Sequence, residues 1–198
     1  MFFLNFFTSL GFCPVNNSKI NPTFRLAINI IINEGLRVSE CCGLCLDVID
    51  LIKKEIEINR TVTDFKGKFF LSDRTKSYES QRFLRVTDDT INIIQEFLKN
   101  NILKPYKEND KTYLIQQNDG TPITPKYIAN CYYKVVKAMI KKGELPTGTR
   151  TGIHKVRTTI TTHYKQLGLD SERIAMFLGH TPEINRGNYT GKIIVSIH

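Results

Sequence analysis

Apolar positions recur along this chain at two spacings, and the switches between them predict its elements. Between residues 21 and 35, Phe24, Ile28 and Ile31 mark a helix. Asn21-Pro22 supplies an N-cap with proline at the first helical position, and Gly35 is the expected stop. A second short helix starts near Ser39 and carries Cys41 and Cys42. From residue 54 to 86 the pattern turns to β. Glu55-Ile56-Glu57-Ile58 alternates with period two, and Gly67 between Lys66 and Lys68 marks a tight turn. Residues 69–71 and 82–86 then complete a small three-stranded antiparallel sheet. Helical spacing returns after Thr87-Asp88-Asp89, with Ile91, Ile94 and Leu98 on one face. Tyr113-Leu114-Ile115 is a short apolar segment before the Asn118-Asp119-Gly120 turn.

Three more helices follow in the same way, and a fourth short one closes the pattern. Thr124-Pro125 opens a long helix through Tyr127, Cys131, Val135 and Ile140, stopped by Gly143. Residues 154–167 form the next, ending at Gly168. Asp170-Ser171 caps a helix through Ile174 and Phe177 that Gly179 ends, and Thr181-Pro182 opens one more, ended near Gly187. The expected fold is α+β, mostly helical, with a single small antiparallel sheet. Residues 21–198 read as one domain, preceded by an extension or remnant at residues 1–20.

Composition sharpens this only at a few points. Hydrophobic residues make up 41% of 198 and charged residues 24%, enough to bury a core without disulfides or a metal. The excess of 28 Lys+Arg over 19 Asp+Glu gives a formal charge of +9, spread along the chain, and a basic surface attracts polyanions. The apolar start through Phe7 has no Lys or Arg before Lys19, so it lacks the basic head of a signal peptide, and no stretch reaches transmembrane length. Cys13, Cys41, Cys42, Cys45 and Cys131 are odd in number. Adjacent cysteines on a helix suit small buried hydrophobes in a reducing compartment better than a disulfide framework. Cys42 and Cys45 have a zinc-like spacing, but no second pair stands at ligand spacing.

Four groups carry candidate chemistry. His154 and Arg157, three apart on a helix, share a face, and an imidazole beside a guanidinium suits a phosphate; an ordinary polar surface gives the same pair. His180 in Leu178-Gly179-His180 leaves a helix on its exit loop, a place equally open to a plain surface histidine. Tyr189 follows Gly187-Asn188 nine residues later; a tyrosine forms phosphoesters beside a proton acceptor and positive charge, and otherwise is one of eight ordinary tyrosines. Arg37 lies at a helix-to-helix junction with Glu40 three residues on, a brace for the guanidinium or a surface ion pair of small effect.

Taken in order, these pieces resemble the tyrosine recombinases, also called phage integrases. The Glu34-Gly35-Leu36-Arg37-Val38-Ser39-Glu40 segment is similar to the family's TGLR-x-S-E; His154 and Arg157 match its H-x-x-R; Leu178-Gly179-His180 matches L-G-H; and Tyr189 matches the tyrosine nine residues beyond. Thr75-Lys76-Ser77 ahead of Arg82-Phe83-Leu84-Arg85-Val86 resembles the hairpin that bears the family's lysine, with Lys66 and Lys68 in the same region. The chain departs from the family at Thr158, where many members have histidine, and at Glu34, where threonine is usual. Only nine residues follow Tyr189, and only 36 precede Arg37, too few for the family's additional helical clamp domain. On this resemblance the chain is a catalytic-domain fragment or a truncated product.

The resemblance implies site-specific recombination or integration of double-stranded DNA. Tyr189 attacks a phosphodiester to give a 3′-phosphotyrosyl link and a free 5′-hydroxyl. Arg37 and Arg157 hold the non-bridging oxygens and His180 adds a hydrogen bond. Lys76 protonates the leaving oxygen and His154 assists removal of the tyrosine proton. No cofactor and no metal ion is implied, since the guanidiniums neutralise the phosphate, and rejoining needs no ATP. It further implies a homo-oligomer, a tetramer on DNA with a monomer when isolated, no membrane partner, and a cytoplasmic place in a bacterial, phage or mobile-element setting. The alternative is a truncated, non-catalytic DNA-binding module derived from an integrase.

Overall fold

The computed structural model describes residues 21–65, 68–72, 81–149, 152–179 and 194–195. Helix α1 (Pro22–Glu34) is the axis of the core. The Asn21 side chain accepts from the Thr23 amide at 2.8 Å, and Gly35 ends the helix at φ 62°. Leu26, Ala27, Ile28, Ile30 and Ile31 are all buried, and a helix apolar around its circumference must be covered on every side. The cover comes from α2 (Val38–Cys42), α3 (Asp88–Asn100), α4 (Pro125–Lys141) and α5 (His154–Gln166). A last helix, α6 (Ser171–Leu178), packs on α5, capped by Asp170 accepting from the Glu172 and Arg173 amides and stopped by Gly179 at φ 63°.

Helix positions agree with the sequence pattern, and their buried faces correct it in two places. In α3, Phe97 is buried with Ile91 and Ile94, whereas Leu98 is only partly covered. In α4 the buried stripe is Ile128, Tyr132, Val135, Val136 and Met139, while Tyr127 is 47% exposed. Positions 128, 132, 135 and 139 keep the helical period against α1 and α2, and Tyr127 falls outside that arc. The short helix expected at 181–187 lies outside the described residues. No helix among the described residues is long and apolar enough to cross a membrane.

The strands also differ from the expected single three-stranded sheet. β1 (Ile49–Asp50), β2 (Glu55–Ile58), β5 (Arg82–Arg85) and β6 (Ile194–Val195) lie side by side in that order; β6 runs parallel to β5 and the other pairs are antiparallel. β3 (Thr61–Phe65) and β4 (Lys68–Ser72) form a separate hairpin with Val62 opposite Leu71. Residues 69–71 thus pair with β3, and β2 pairs directly with β5, Ile56 opposite Leu84. Gly43 explains the detour. A side chain there would put its Cβ 2.7 Å from the Arg60 carbonyl oxygen, so glycine lets the chain pass close to the end of α2. β3 then packs on α2 and α4 and buries Val62 completely, which takes the hairpin away from the sheet.

Cys41, Cys42 and Cys45 are buried free thiols. Burial pushes Cys42 up to about 12 and Cys45 up to about 11, so these groups stay protonated and pack as small hydrophobes. Cys131 is a partly buried free thiol, and Cys13 lies outside the described residues.

Candidate active site

Arg37, His154 and Arg157 meet at one cleft of about 770 Å³, which Ser39, Lys126 and Thr158 also line. Local sequence explains how they reach it. Gly35 turns the chain out of α1, so that Arg37 becomes the N-cap of α2. Arg37 donates its backbone N–H to Glu40 Oε2 at 2.9 Å and its Nη1 to Glu40 Oε1 at 2.6 Å, so Glu40 is the brace that the spacing suggests. His154 is the first residue of α5 and is exposed. Arg157, one turn on, is 8% exposed and reaches from α5 across to the ends of two other helices.

Those ends are negative poles. The last carbonyls of a helix lack intrahelical partners and carry the negative end of its dipole. Arg157 Nη1 donates to the Gly35 carbonyl after α1, and Nη2 donates to the Leu178 carbonyl of α6 at 2.6 Å. Arg37 Nη2 donates to the Gly179 carbonyl at 2.7 Å. Arg82 Nε, from β5, donates to the Phe177 carbonyl at 2.9 Å. Three consecutive carbonyls at the end of α6 therefore each take a hydrogen bond from a different arginine. His180 is the next residue in the chain.

The Glu40 carboxylate is set among these cations. Glu40 is 1% exposed and is held by Arg82 through Nη1 at 3.2 Å and Nη2 at 3.1 Å, as well as by Arg37. Burial alone would push the Glu40 carboxyl up; the charge and hydrogen bonds of Arg82, with those of Arg37, outweigh it and hold it below its ordinary value. Burial pulls the Arg157 guanidinium down to about 10, Arg37 and Arg82 add to that, and Glu40 opposes it; Arg157 remains charged at neutral pH. The result is a cationic cleft wall whose guanidiniums are fixed before any ligand arrives, which is the arrangement that stabilises growing negative charge on a phosphate.

Three of the expected site residues, Lys76, His180 and Tyr189, lie outside the described residues, as does Lys66; Lys68 begins β4. Arg82 is the residue that sequence reasoning used only as a landmark of the hairpin motif. Its signal was present: it stands in phase with Leu84 and Val86, so strand alternation points it into the core, where a cation needs partners.

Known proteins resemble this chain along most of its length. The chain is 23% identical over 155 residues to a probable integrase/recombinase protein of Methanocaldococcus jannaschii, covering 78% of this chain and 41% of that protein. It is 28% identical over 168 residues to the tyrosine recombinase XerC of Halalkalibacterium halodurans, covering 83% of this chain and 48% of XerC. The chain thus spans less than half the length of these relatives. Among solved structures, the Tn1549 transposon integrase in complex with a circular intermediate DNA superimposes with a TM-score of 0.75 at 22% identity, over 91% of this chain and 55% of that one. The XerH recombinase bound to its difH substrate gives 0.58 at 20% identity, over 90% and 45%. The match to the phage integrase family runs over residues 13–192, taking in both arginines of the cleft and the helix end they hold, and the chain belongs to that family.

Proposed function

We propose that this protein cuts and rejoins double-stranded DNA in site-specific recombination or integration, through a 3′-phosphotyrosyl bond to Tyr189. Residues 21–198 carry the catalytic unit in this reading. The observation that carries it is the pair Arg37 and Arg157, set on one cleft wall by fixed carbonyl and carboxylate partners. Two guanidiniums suit the two non-bridging oxygens of a phosphodiester, whose charge grows as the nucleophile attacks. Tyr189 supplies the phenolic oxygen that forms the new P–O bond while the 5′-oxygen leaves. Lys76 gives that oxygen a proton, His154 assists proton removal from Tyr189, and His180 adds a donor to the phosphate. The phosphotyrosyl ester conserves the energy of the broken bond, so a 5′-hydroxyl restores DNA and releases the tyrosine. Such an enzyme works where its DNA is, in the cytoplasm of a bacterial, phage or mobile-element host, and as an oligomer when two sites are joined.

The test is a nicked DNA substrate bearing the element-end sequence, from which the cleaved strand dissociates, incubated with chelator and run on a denaturing gel. The expected product is a covalent protein–DNA adduct formed by the wild-type chain and absent with Tyr189→Phe, while both bind DNA alike. An adduct that survives in Tyr189→Phe assigns the nucleophile wrongly. Binding with no adduct from either protein points to the DNA-binding module.

A further inference from the structure

We infer that Arg82 is a positioning residue for this reaction: it fixes Arg37 by holding Glu40, and it holds the α6 terminus from behind the cleft. The inference rests on the DNA-cleaving reading above. Arg82 is 6% exposed and is not among the described residues that line the cleft, whereas Arg37 and Arg157 are. Its guanidinium bonds to both α2 and α6. Nη1 and Nη2 make a two-pronged pair with the two oxygens of Glu40, and Nε reaches the Phe177 carbonyl. The same two carboxylate oxygens take Arg37 Nη1 and the Arg37 backbone N–H. Glu40 is therefore a buried bridge whose orientation both arginines set, and Arg37 is the one that continues into the cleft, with its side chain 34% exposed.

Bulk stability gives no reason for this construction. A buried ion pair is a poor stabiliser compared with apolar residues of the same volume, because desolvation offsets most of the attraction. What the construction does supply is direction. The Arg37 fork is pinned by Glu40 on one side and by the Gly179 carbonyl on the other, and each pin is itself held by Arg82, at Glu40 directly and at α6 two residues earlier. Gly179 fits this crowding: a Cβ there would stand 2.5 Å from Arg82 Nη1 and 3.3 Å from Arg37 Nη1. Lysine keeps the charge but presents a point donor, and it cannot bond both Glu40 oxygens and a carbonyl in one plane.

Arg82→Lys therefore tests geometry with the charge preserved, and Glu40→Asp, one methylene shorter, tests it again should the first variant fold poorly. The readouts are the single-turnover rate of adduct formation, DNA binding, and the side-chain resonances of Arg37 in protein labelled with ¹⁵N-arginine. Loss of placement of one charge-stabilising donor is expected to slow adduct formation about 10- to 100-fold with binding changed less than about twofold. In an Arg37→Lys background the same exchange is expected to cost less than about threefold, because the two residues act as one unit. The separate Arg37 Nη signals of a pinned guanidinium should merge in either variant.

A full multiplicative loss in both backgrounds, or a loss below about threefold in the wild-type background, overturns the inference. So do unchanged Arg37 resonances. If the wild-type chain forms no adduct, the cleavage reading itself fails, and the resonances alone decide whether Arg82 positions Arg37.

Discussion

At the scale of single residues, Glu40 ties the site to the acid stability of the fold. Its folded-state carboxyl lies below the ordinary 4.5, because Arg82 and Arg37 together outweigh the upward push of burial. A carboxyl depressed in this way adds stability that is fully present above its unfolded value and is lost as pH falls through its folded one. Glu40→Gln removes the charge and leaves Arg82 buried beside a neutral amide. Breaking such a buried pair costs about 3 kcal/mol or more at pH near 7. The gap between wild type and Glu40→Gln should therefore be widest near neutrality and narrow steadily below about pH 4.5, as wild type gives up its own advantage. Urea unfolding of both proteins across that range measures it. A gap that stays constant down to about pH 3 would mean that the Glu40 charge does not stabilise the fold.

At the scale of elements, the end of α6 is the joint where the site is assembled, and two glycines separate its effects. Gly179 and Gly168 both have positive φ, 63° and 81°, a region that L residues enter at a cost of about 1 kcal/mol or slightly more. At Gly168 an added Cβ meets nothing within 4 Å, so Gly168→Ala carries only that backbone strain. At Gly179 the same Cβ meets Arg82 and Arg37, and the guanidiniums must shift. Gly179→Ala should lower stability by about 2 kcal/mol or more, against about 1 kcal/mol for Gly168→Ala, and slow adduct formation where Gly168→Ala does not. Equal losses from the two variants in both measurements would show that the α6 terminus does not set the arginines. Much of this element scale was legible in the sequence, for a physical reason: a glycine that ends a helix is a local signal. Gly35, Gly168 and Gly179 stand where the apolar period stops, and Gly143 follows one residue after the C-cap of α4. Strand partners are not local. The choice between β2 and β4 as the neighbour of β5 depended on Gly43 admitting the chain beside α2, which no spacing reveals. In the same way Arg37 and Arg157 were legible by motif, whereas the bond between Arg82 and Glu40 joins residues 42 apart.

At the scale of the whole molecule, the +9 charge and the cationic cleft make separate claims, and salt distinguishes them. Any basic protein binds DNA more weakly as salt rises, because each neutralised phosphate releases counterions. That alone would not locate the DNA. Lys126 is exposed at the start of α4 and lines the cleft beside Arg37 and Arg157. Lys99, also exposed and near the end of α3, is not among the described residues that line the cleft. Both lysines carry one charge, so net charge falls identically when either becomes glutamine. If the duplex lies over the cleft, Lys126→Gln should reduce the slope of log K against log salt by about 1 and weaken binding alike on all sequences, whereas Lys99→Gln should leave the slope unchanged. Fluorescence anisotropy with one labelled duplex over a salt series reads both. Equal slopes for the two variants would mean that the basic surface attracts DNA without placing it at the arginines, and the adduct chemistry would then need the duplex to approach from another side.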